Sequence, residues 1–104
     1  MIRRIIMKKE FTWNEKKNRK NQRKHGVSFE EAIEVFYDPK NLEMYDWTHS
    51  FFEDRWKMIG FSGTAILTVF FSERNKVIKI FSARKSAKIE EEEYLNGFGT
   101  FYTR

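Results

Sequence analysis

The stretch that most constrains the fold of this chain is the nearly continuous apolar run "AILTVFF" at residues 65–71. A run of this kind predicts a strand at the centre of a sheet. The turn signals "SGT" and "ERNK" lie directly before and after it, and further strand-like segments lie beyond both turns. Because such short turns join strands that run in opposite directions, the sheet is predicted to be mostly antiparallel.

The other strand candidates are short segments rich in aromatic and β-branched residues. They are "EFTW" at 10–13, "LEMYDW" at 42–47, "DRWKMIGF" at 54–61 and "VIKIFSA" at 77–83. Two helices are predicted after the first strand and one after the last, so the order is β-α-α-β-β-β-β-α. This order predicts an α+β fold in which the helices pack on one face of the sheet.

The three predicted helices differ in the apolar surface that each can bury in a core. The first begins at Asn14 and contains no aliphatic residue in its eleven positions. The second begins with a capping box of Ser28 and Glu31, carries an apolar stripe and ends at Pro39. The third, "SAKIEEEEYL", has Ser86 as its predicted cap, and its four adjacent glutamates predict a solvated face.

Length and composition indicate one domain at 1–104, with a core at about 10–95 and an extended tail at 96–104. A hydrophobic fraction of 40% is enough for a packed core. The absence of cysteine excludes disulfides and thiolate chemistry. Charges interrupt the N-terminal apolar run, so neither a signal peptide nor a membrane span is predicted and a cytoplasmic location is expected.

Positive charge is concentrated at the start of the chain. Residues 1–25 have a net charge of +8, residues 26–60 of −5 and residues 61–104 of +2. This distribution favours a surface that meets a polyanion such as a phosphate backbone. A basic surface that serves only solubility is the alternative that charge alone leaves open.

The basic first helix is predicted to have two sides. Asn14, Asn18, Asn21 and His25 form one polar stripe, which is expected to dock on the rest of the protein through hydrogen bonds. Lysines and arginines gather on another side, which leaves them available for phosphates. Three interpretations of His25 stay open: it complements the helix dipole, it orients a site, or it carries a proton.

The candidate chemistry rests on cations and one titrating group, since no nucleotide loop, nucleophile elbow or zinc spacing is present. The set is Lys24, His25, Arg55, Arg84 and Lys85. Arg55 follows an acidic pair, so an ordinary ion pair is an alternative explanation for it. Arg84 and Lys85 lie between a strand and a helix, where anions meet backbone amides. With only two histidines in the chain, no metal site and no cofactor are predicted. A carboxylate site for a hard cation, formed from "EEEE" at 90–93 and "FFEDRW" at 51–56, is the less favoured alternative.

Three segments together resemble the BrnT family of bacterial toxins. They are "FTWNEKKNRKNQRKHGVSFEEAIEVFYDP", "EDRWKMIGFS" and "VIKIFSARKSAKIEEEEY", which span residues 11 to about 95 in order. The matching positions are Trp13, Lys16, Asn18, Lys24, His25, Gly26, Val27, Phe29, Ala32, Phe36, Arg55, Gly60, Ser82, Ala83, Arg84, Lys85, Glu90 and Tyr94. The chain departs from the family pattern at Lys79, in the acidic run at 90–93 and in its tail.

The resemblance implies a RelE-like fold and a metal-independent ribonuclease toxin that inhibits growth. It also implies a partner antitoxin similar to BrnA, whose ribbon-helix-helix region would carry the complex to its operator DNA. A dimer or a heterotetramer is the assembly considered. The implied reaction is attack of a ribose 2′-hydroxyl of RNA on the adjacent phosphate. DNA has no 2′-hydroxyl and cannot react in this way.

The resemblance and the residue types together predict a role for each candidate. Arg55 and Arg84 are assigned to the scissile phosphate, because a guanidinium fork fits two of its oxygens. His25 is the leading acid or base, since histidine changes charge between about pH 5 and 8. Tyr94 is expected to stack a base or donate a proton. The RNA backbone is assigned to Lys16, Lys20, Lys24 and Lys85.

Two interpretations without catalysis stay open on the same residues. One is a module that binds RNA and does not cleave it. The other is a corepressor or interaction subunit whose basic face docks an acidic antitoxin. Charge does not separate these classes, because all of them need the basic helix. The chemical ends of RNA products separate them.

Overall fold

Six strands, three α-helices and two short 3-10 helices form residues 1–97, the part of the chain that the computed structural model describes. The elements are β1 Ile2–Ile6, β2 Lys9–Trp13, α1 Glu15–His25, α2 Phe29–Ile33, β3 Leu42–Tyr45, β4 Trp56–Phe61, β5 Ile66–Arg74, β6 Val77–Lys85 and α3 Lys88–Asn96. The 3-10 helices are Glu34–Tyr37 and Trp47–His49. Residues 98–104 of the predicted tail lie outside the described residues. Among residues 1–97, no helix has the length and apolar character needed to cross a membrane.

The strands form one sheet in the order β1-β2-β6-β5-β4-β3. All neighbouring strands are antiparallel except β2 and β6, which run parallel. The α+β class and the mostly antiparallel sheet are therefore confirmed, and the RelE-like fold stays a prediction. The sequence predicted five strands and missed β1. This edge strand is exposed over almost its whole length, so it lacks the apolar alternation that marks a strand.

The apolar core lies between the sheet and α2. The ring of Phe36 packs edge-on between those of Phe11 and Phe71, with centroid distances of 5.2 and 4.9 Å. The cap predicted for α2 is confirmed, because the Ser28 hydroxyl accepts the Glu31 N–H at 3.0 Å. The Glu31 carboxylate instead accepts hydrogen bonds from two hydroxyls of the β4–β5 turn.

A bulge in β6 reverses which of its side chains face the core. Ile80 faces the core before the bulge and Ala83 faces it afterwards. Neighbouring residues of β5 pair with Ile80 and Ser82, which leaves Phe81 as an extra residue. Because successive side chains of a strand alternate between faces, this extra residue turns Arg84 away from the core.

The polar helix α1 is held in place by its asparagines. β2 pairs with β6 only as far as Lys79, and beyond that point the Asn21 amide pairs with the open edge of β6. It donates to the Ala83 carbonyl at 2.7 Å and accepts the Ala83 N–H at 3.3 Å. The fully buried Asn18 accepts the Phe29 N–H at 2.8 Å. Docking of the polar stripe through hydrogen bonds is thus confirmed for Asn18 and Asn21.

Helix α3 covers the face of the sheet opposite α2. Thr68 lies between two core residues of β5, so its hydroxyl points to the other face, where it donates to Glu90 at 3.0 Å. The helices therefore lie on both faces of the sheet, and the prediction of one face is wrong. The N-cap of α3 is Ala87, because the predicted cap, Ser86, bonds Thr68 through its hydroxyl at 2.8 Å.

Candidate active site

A cleft of about 470 Å³ opens on the face of the sheet that β6 exposes after its bulge. Three of the predicted catalytic residues meet there, and each comes from a different element: His25 from the end of α1, Arg55 from the loop before β4, and Arg84 from β6. The complete lining is Lys17, His25, Asp46, His49, Arg55, Phe70, Phe81, Ser82 and Arg84. The cleft therefore joins cations, imidazoles and two aromatic rings.

The orientation of Arg84 is fixed by Glu90. Two guanidinium nitrogens of Arg84 lie 2.7 and 3.0 Å from the two carboxylate oxygens of Glu90. Burial raises the pKa of Glu90, but hydrogen bonds from Arg84, from the Ala87 N–H and from Thr68 outweigh it and lower the pKa to about 2. The hydrogen bond to Glu90 also raises the pKa of Arg84. Arg84 is thus a fixed cation, and its five N–H donors exceed the two that Glu90 engages.

Glu90 is only 5% exposed, so the solvated face predicted for the four glutamates is wrong at its first member. A Lys57 ammonium lies 3.4 Å from the same carboxylate. The buried carboxylate is thus paired with cations, as a charge in the interior requires.

Two phenylalanine rings support the arginines of the cleft. The Arg55 guanidinium carbon lies 3.8 Å from the centroid of Phe81, and that of Arg84 lies 5.4 Å from the centroid of Phe70. Such cation–π contacts hold a guanidinium plane in place and leave its N–H edge available. Arg55 also lies 3.6 Å from Glu53, so the predicted ion pair is present beside the ring contact. An exposed pair of this kind is weak.

The loop between β3 and β4 is closed at its neck, which places His49 and Arg55 in the same cleft. The Asp46 N–H donates to the Arg55 carbonyl at 2.8 Å. The Ser50 hydroxyl donates to the Asp46 carbonyl at 2.6 Å and accepts the Arg55 N–H at 2.9 Å. The N–H and carbonyl groups of both Asp46 and Arg55 are therefore hydrogen-bonded, either to each other or to the Ser50 hydroxyl.

His49 forms a pair with Asp46 that the sequence analysis did not find. Nδ1 of His49 lies 2.8 Å from Oδ2 of Asp46, and the His49 ring packs edge-on against Phe70 at 6.2 Å. Asp46 is 9% exposed, whereas the His49 side chain is 59% exposed. The signal that could have identified the pair is the Asp-x-x-His spacing, which a single 3-10 turn brings together.

A family model described as "Ribonuclease toxin, BrnT, of type II toxin-antitoxin system" matches residues 13–90, which include every residue that lines the cleft. The chain belongs to the BrnT family. The predicted resemblance is therefore confirmed. A BrnT protein is a ribonuclease toxin of a type II toxin-antitoxin system, so an antitoxin is its partner. A search of curated proteins finds no match to the chain.

The lysines predicted to bind RNA divide into two groups in this BrnT chain. Lys20 and Lys24 line a shallower depression of about 230 Å³, which shares Lys17 and His25 with the cleft. The other two, Lys16 and Lys85, are exposed but line neither depression. Lys17, which the sequence analysis did not assign to RNA, lines both the cleft and this depression, with its ammonium 5.9 Å from the Phe81 centroid.

Tyr94 of the BrnT chain lies outside the cleft. Its hydroxyl donates to Oδ2 of Asp38 at 2.5 Å, and Asp38 also accepts the Phe61 N–H at 2.8 Å. Burial and the hydrogen bond to Asp38 raise the pKa of Tyr94 to about 12. Through Asp38, Tyr94 thus links α3 to the end of β4. The catalytic role predicted for Tyr94 stays a prediction.

A second depression of about 440 Å³ lies on the other side of the closed loop in this BrnT chain. Its lining has three carboxylates, Glu53, Asp54 and Glu73, against one cation, Arg74, so its net charge is negative and disfavours a phosphate. Within residues 1–97, no three His, Asp or Glu side chains are grouped as a metal site requires.

Proposed function

We propose that this BrnT toxin is an endoribonuclease that cleaves RNA without a metal ion, by attack of a ribose 2′-hydroxyl on the adjacent phosphate. The observation that carries the proposal is the meeting of Arg55, Arg84 and His25 in one open cleft. Negative charge grows on the phosphate oxygens as the reaction proceeds, and fixed cations stabilise that charge more than they stabilise the substrate.

In this mechanism Arg55 and Arg84 hold the scissile phosphate from two sides. Their ring contacts and the Glu90 carboxylate fix both guanidinium groups before the substrate arrives, so little reorganisation is needed in the transition state. The half-buried His25 takes the proton of the 2′-hydroxyl. DNA has no 2′-hydroxyl and is therefore bound but not cut.

Helix α1 supplies the path along which the RNA backbone approaches. Its exposed lysines, Lys20 and Lys24, border the depression that is continuous with the cleft, and Lys17 reaches the cleft itself. These cations displace counterions from several phosphates, which gives affinity without regard to sequence. The asparagines on the docked side keep this face turned outwards.

We further propose that the partner is a BrnA-like antitoxin with a ribbon-helix-helix region, that it covers the cleft and competes there with RNA, and that the complex binds operator DNA through the antitoxin. The assembly is a dimer or a heterotetramer that acts in the cytoplasm. If a saturating amount of antitoxin leaves RNA cleavage unchanged, the cleft is not the surface that the antitoxin covers.

The proposed reaction is tested with purified protein, a single-stranded RNA and DNA of the same sequence, in the presence of a chelator. We expect cleavage of the RNA alone, with a 2′,3′-cyclic phosphate on one product and a 5′-hydroxyl on the other. Arg55→Ala and Arg84→Ala are each expected to slow cleavage about 100-fold, the typical effect of losing one charge-stabilising contact. Circular dichroism confirms that each variant is folded.

The matched control is Arg74→Ala, which removes an exposed arginine from the end of β5, outside the cleft. It is expected to cleave at the wild-type rate. Since Arg84→Ala leaves Glu90 without its main partner, Arg55→Ala is the decisive variant if Arg84→Ala is unstable. Wild-type cleavage by folded Arg55→Ala and His25→Ala would disprove the assignment, and RNA binding without any cleavage products would favour a non-catalytic module.

A further inference from the structure

We propose that His49 is the general acid of the cleft and that Asp46 is its positioning residue. The proposal rests on the proposed ribonuclease function and assigns the second proton transfer that this reaction needs. Attack by the 2′-oxygen requires a base, and departure of the 5′-oxygen requires an acid. His25 supplies one of these groups, and the cleft must supply the other from a different side.

The contacts of His49 suit a proton donor. Its Nδ1 is engaged by the buried Asp46 carboxylate at 2.8 Å, so the ring is held in one orientation and Nε2 is the nitrogen left for exchange with a substrate. A carboxylate at Nδ1 accepts a hydrogen bond from the Nδ1–H group in both charge states of the ring, and it stabilises the imidazolium. The imidazole remains accessible, because more than half of the side chain is exposed.

The neighbours of His49 also place it beside the phosphate. Phe70 contacts both the His49 ring and the Arg84 guanidinium, and the closed neck of the loop joins His49 to Arg55. The charged and titratable groups that share the cleft with His49 are Lys17 and His25 from α1, Asp46 and Arg55 from the loop, and Arg84 from β6. Among residues 1–97, Asp46 is the only carboxylate residue that lines the cleft.

The reaction balances with these two imidazoles. Neutral His25 takes the proton of the 2′-hydroxyl as the bond between the 2′-oxygen and phosphorus forms. The bond between phosphorus and the 5′-oxygen breaks, and the imidazolium of His49 gives its Nε2 proton to that oxygen. The products are a 2′,3′-cyclic phosphate and a 5′-hydroxyl, and exchange with water returns both histidines to their starting forms.

The experiment compares two RNA substrates that differ only in the leaving atom at a mapped cleavage site. One has the natural 5′-oxygen, and the other has a bridging 5′-sulfur, which departs as a thiolate without needing an acid. His49→Ala is expected to slow cleavage of the oxygen substrate about 100-fold, within the range of general acid catalysis, and to cleave the sulfur substrate nearly as fast as wild type. His25→Ala is expected to be slow on both substrates.

Asp46→Asn keeps the shape of the positioning residue but removes its charge. It is expected to slow cleavage of the oxygen substrate on the order of 10-fold and to leave the sulfur substrate almost unaffected. A purely structural role for Asp46 would slow both substrates equally. Thr48→Ala, an exposed neighbour that does not line the cleft, is the matched control and is expected to match wild type on both.

The outcomes separate this proposal from the ribonuclease function on which it rests. If wild-type protein cleaves RNA and His49→Ala cleaves the oxygen substrate equally fast, the general acid assignment is overturned and the ribonuclease stands. Slow cleavage of both substrates by folded His49→Ala also overturns it, because a group needed with a thiolate leaving group is not the acid. If wild-type protein cleaves neither RNA, the proposed function itself fails.

Discussion

At the scale of single residues, Glu90 connects the stability of the fold to the chemistry of the cleft. It accepts hydrogen bonds from Arg84, from Thr68 of β5 and from the first turn of α3, and it lies below the surface. A buried carboxylate of this kind is stable only while its cations are present. The side chain that fixes Arg84 in the cleft therefore also fixes α3 on the sheet.

We predict that Glu90→Gln destabilises the protein at neutral pH and has a much smaller effect in acid. The folded-state pKa of about 2 lies below the ordinary value of 4.5, so the contribution of Glu90 is complete above about pH 4.5 and is lost as the pH falls towards 2. A shift of this size corresponds to a free energy of unfolding on the order of 3 kcal/mol. Urea unfolding of both proteins at pH 7 and pH 3 measures it.

The control for this prediction is Glu92→Gln, an exposed glutamate of the same helix, which should follow wild type at both pH values. A difference between Glu90→Gln and wild type that is the same at pH 7 and pH 3 would show that ionisation of Glu90 is not its source.

The residue scale also shows why parts of the site were not predicted. Four adjacent glutamates point around a helix, so the run "EEEE" alone does not reveal which member meets the sheet. Its first member is chosen by the start of α3 at Ala87. His49 was missed because its role depends on a closed loop, and loop closure by Ser50 has no periodic pattern. His25, Arg55 and Arg84, which do line the cleft, were selected as candidates by residue type, and the resemblance then assigned each of them a role.

At the scale of elements, β6 supplies three of the nine residues that line the cleft, and its bulge decides which of its side chains enter it. Local signals predicted the three α-helices and five of the six strands of residues 1–97, because caps, turns and apolar alternation act over a few residues. The parallel pairing of β2 with β6 joins residues 10–12 to 77–79, and no local pattern encodes such a contact. The bulge at Phe81 was equally hidden, although the adjacent apolar pair Ile80 and Phe81 does break the alternation.

We predict that Asn21→Ala loosens α1 from β6. The substitution leaves the Ala83 N–H and the carbonyls of Val27 and Ala83 without their partner. Unpaired buried polar groups cost about 1–3 kcal/mol each, and water that enters recovers part, so we expect a loss of about 2–4 kcal/mol in unfolding free energy. RNA cleavage should fall as well, because His25 and Lys17 are carried by this helix.

Chemical denaturation and the cleavage assay measure the two effects of Asn21→Ala. Arg23→Ala removes an exposed side chain two positions away and is expected to leave stability within about 0.5 kcal/mol of wild type. Equal stability of Asn21→Ala and Arg23→Ala would mean that the asparagine contacts do not hold the helix.

At the scale of the whole molecule, the uneven charge predicts where a nucleic acid lies. We expect Lys20→Gln with Lys24→Gln to weaken binding of single-stranded DNA, which is bound but not cut, and to reduce its salt dependence. Each lost phosphate contact lowers the slope of log K against log salt by about 0.7 for single strands, so the expected reduction is about 1.4. Fluorescence anisotropy across a salt series provides the slope.

The charge-matched control for this measurement is Lys8→Gln with Lys9→Gln, at the exposed turn into β2. Neither lysine lines the cleft or the depression of about 230 Å³ beside it. Its slope is expected to match wild type. If both double variants reduce the slope equally, binding depends on the overall positive charge of the molecule and not on contacts with α1.

The late position of β6 and α3 in the chain has a consequence for how the protein is made. A ribosome completes α1 and its lysines early, but no cleft exists until Arg84 and then Glu90 have been added and have left the exit tunnel. Under the proposed mechanism, the polypeptide is therefore inert until both residues are in place. In the same way, the proposed mechanism predicts that a nonsense codon anywhere before that of Glu90 gives an inactive product, because the product lacks the anchored arginine.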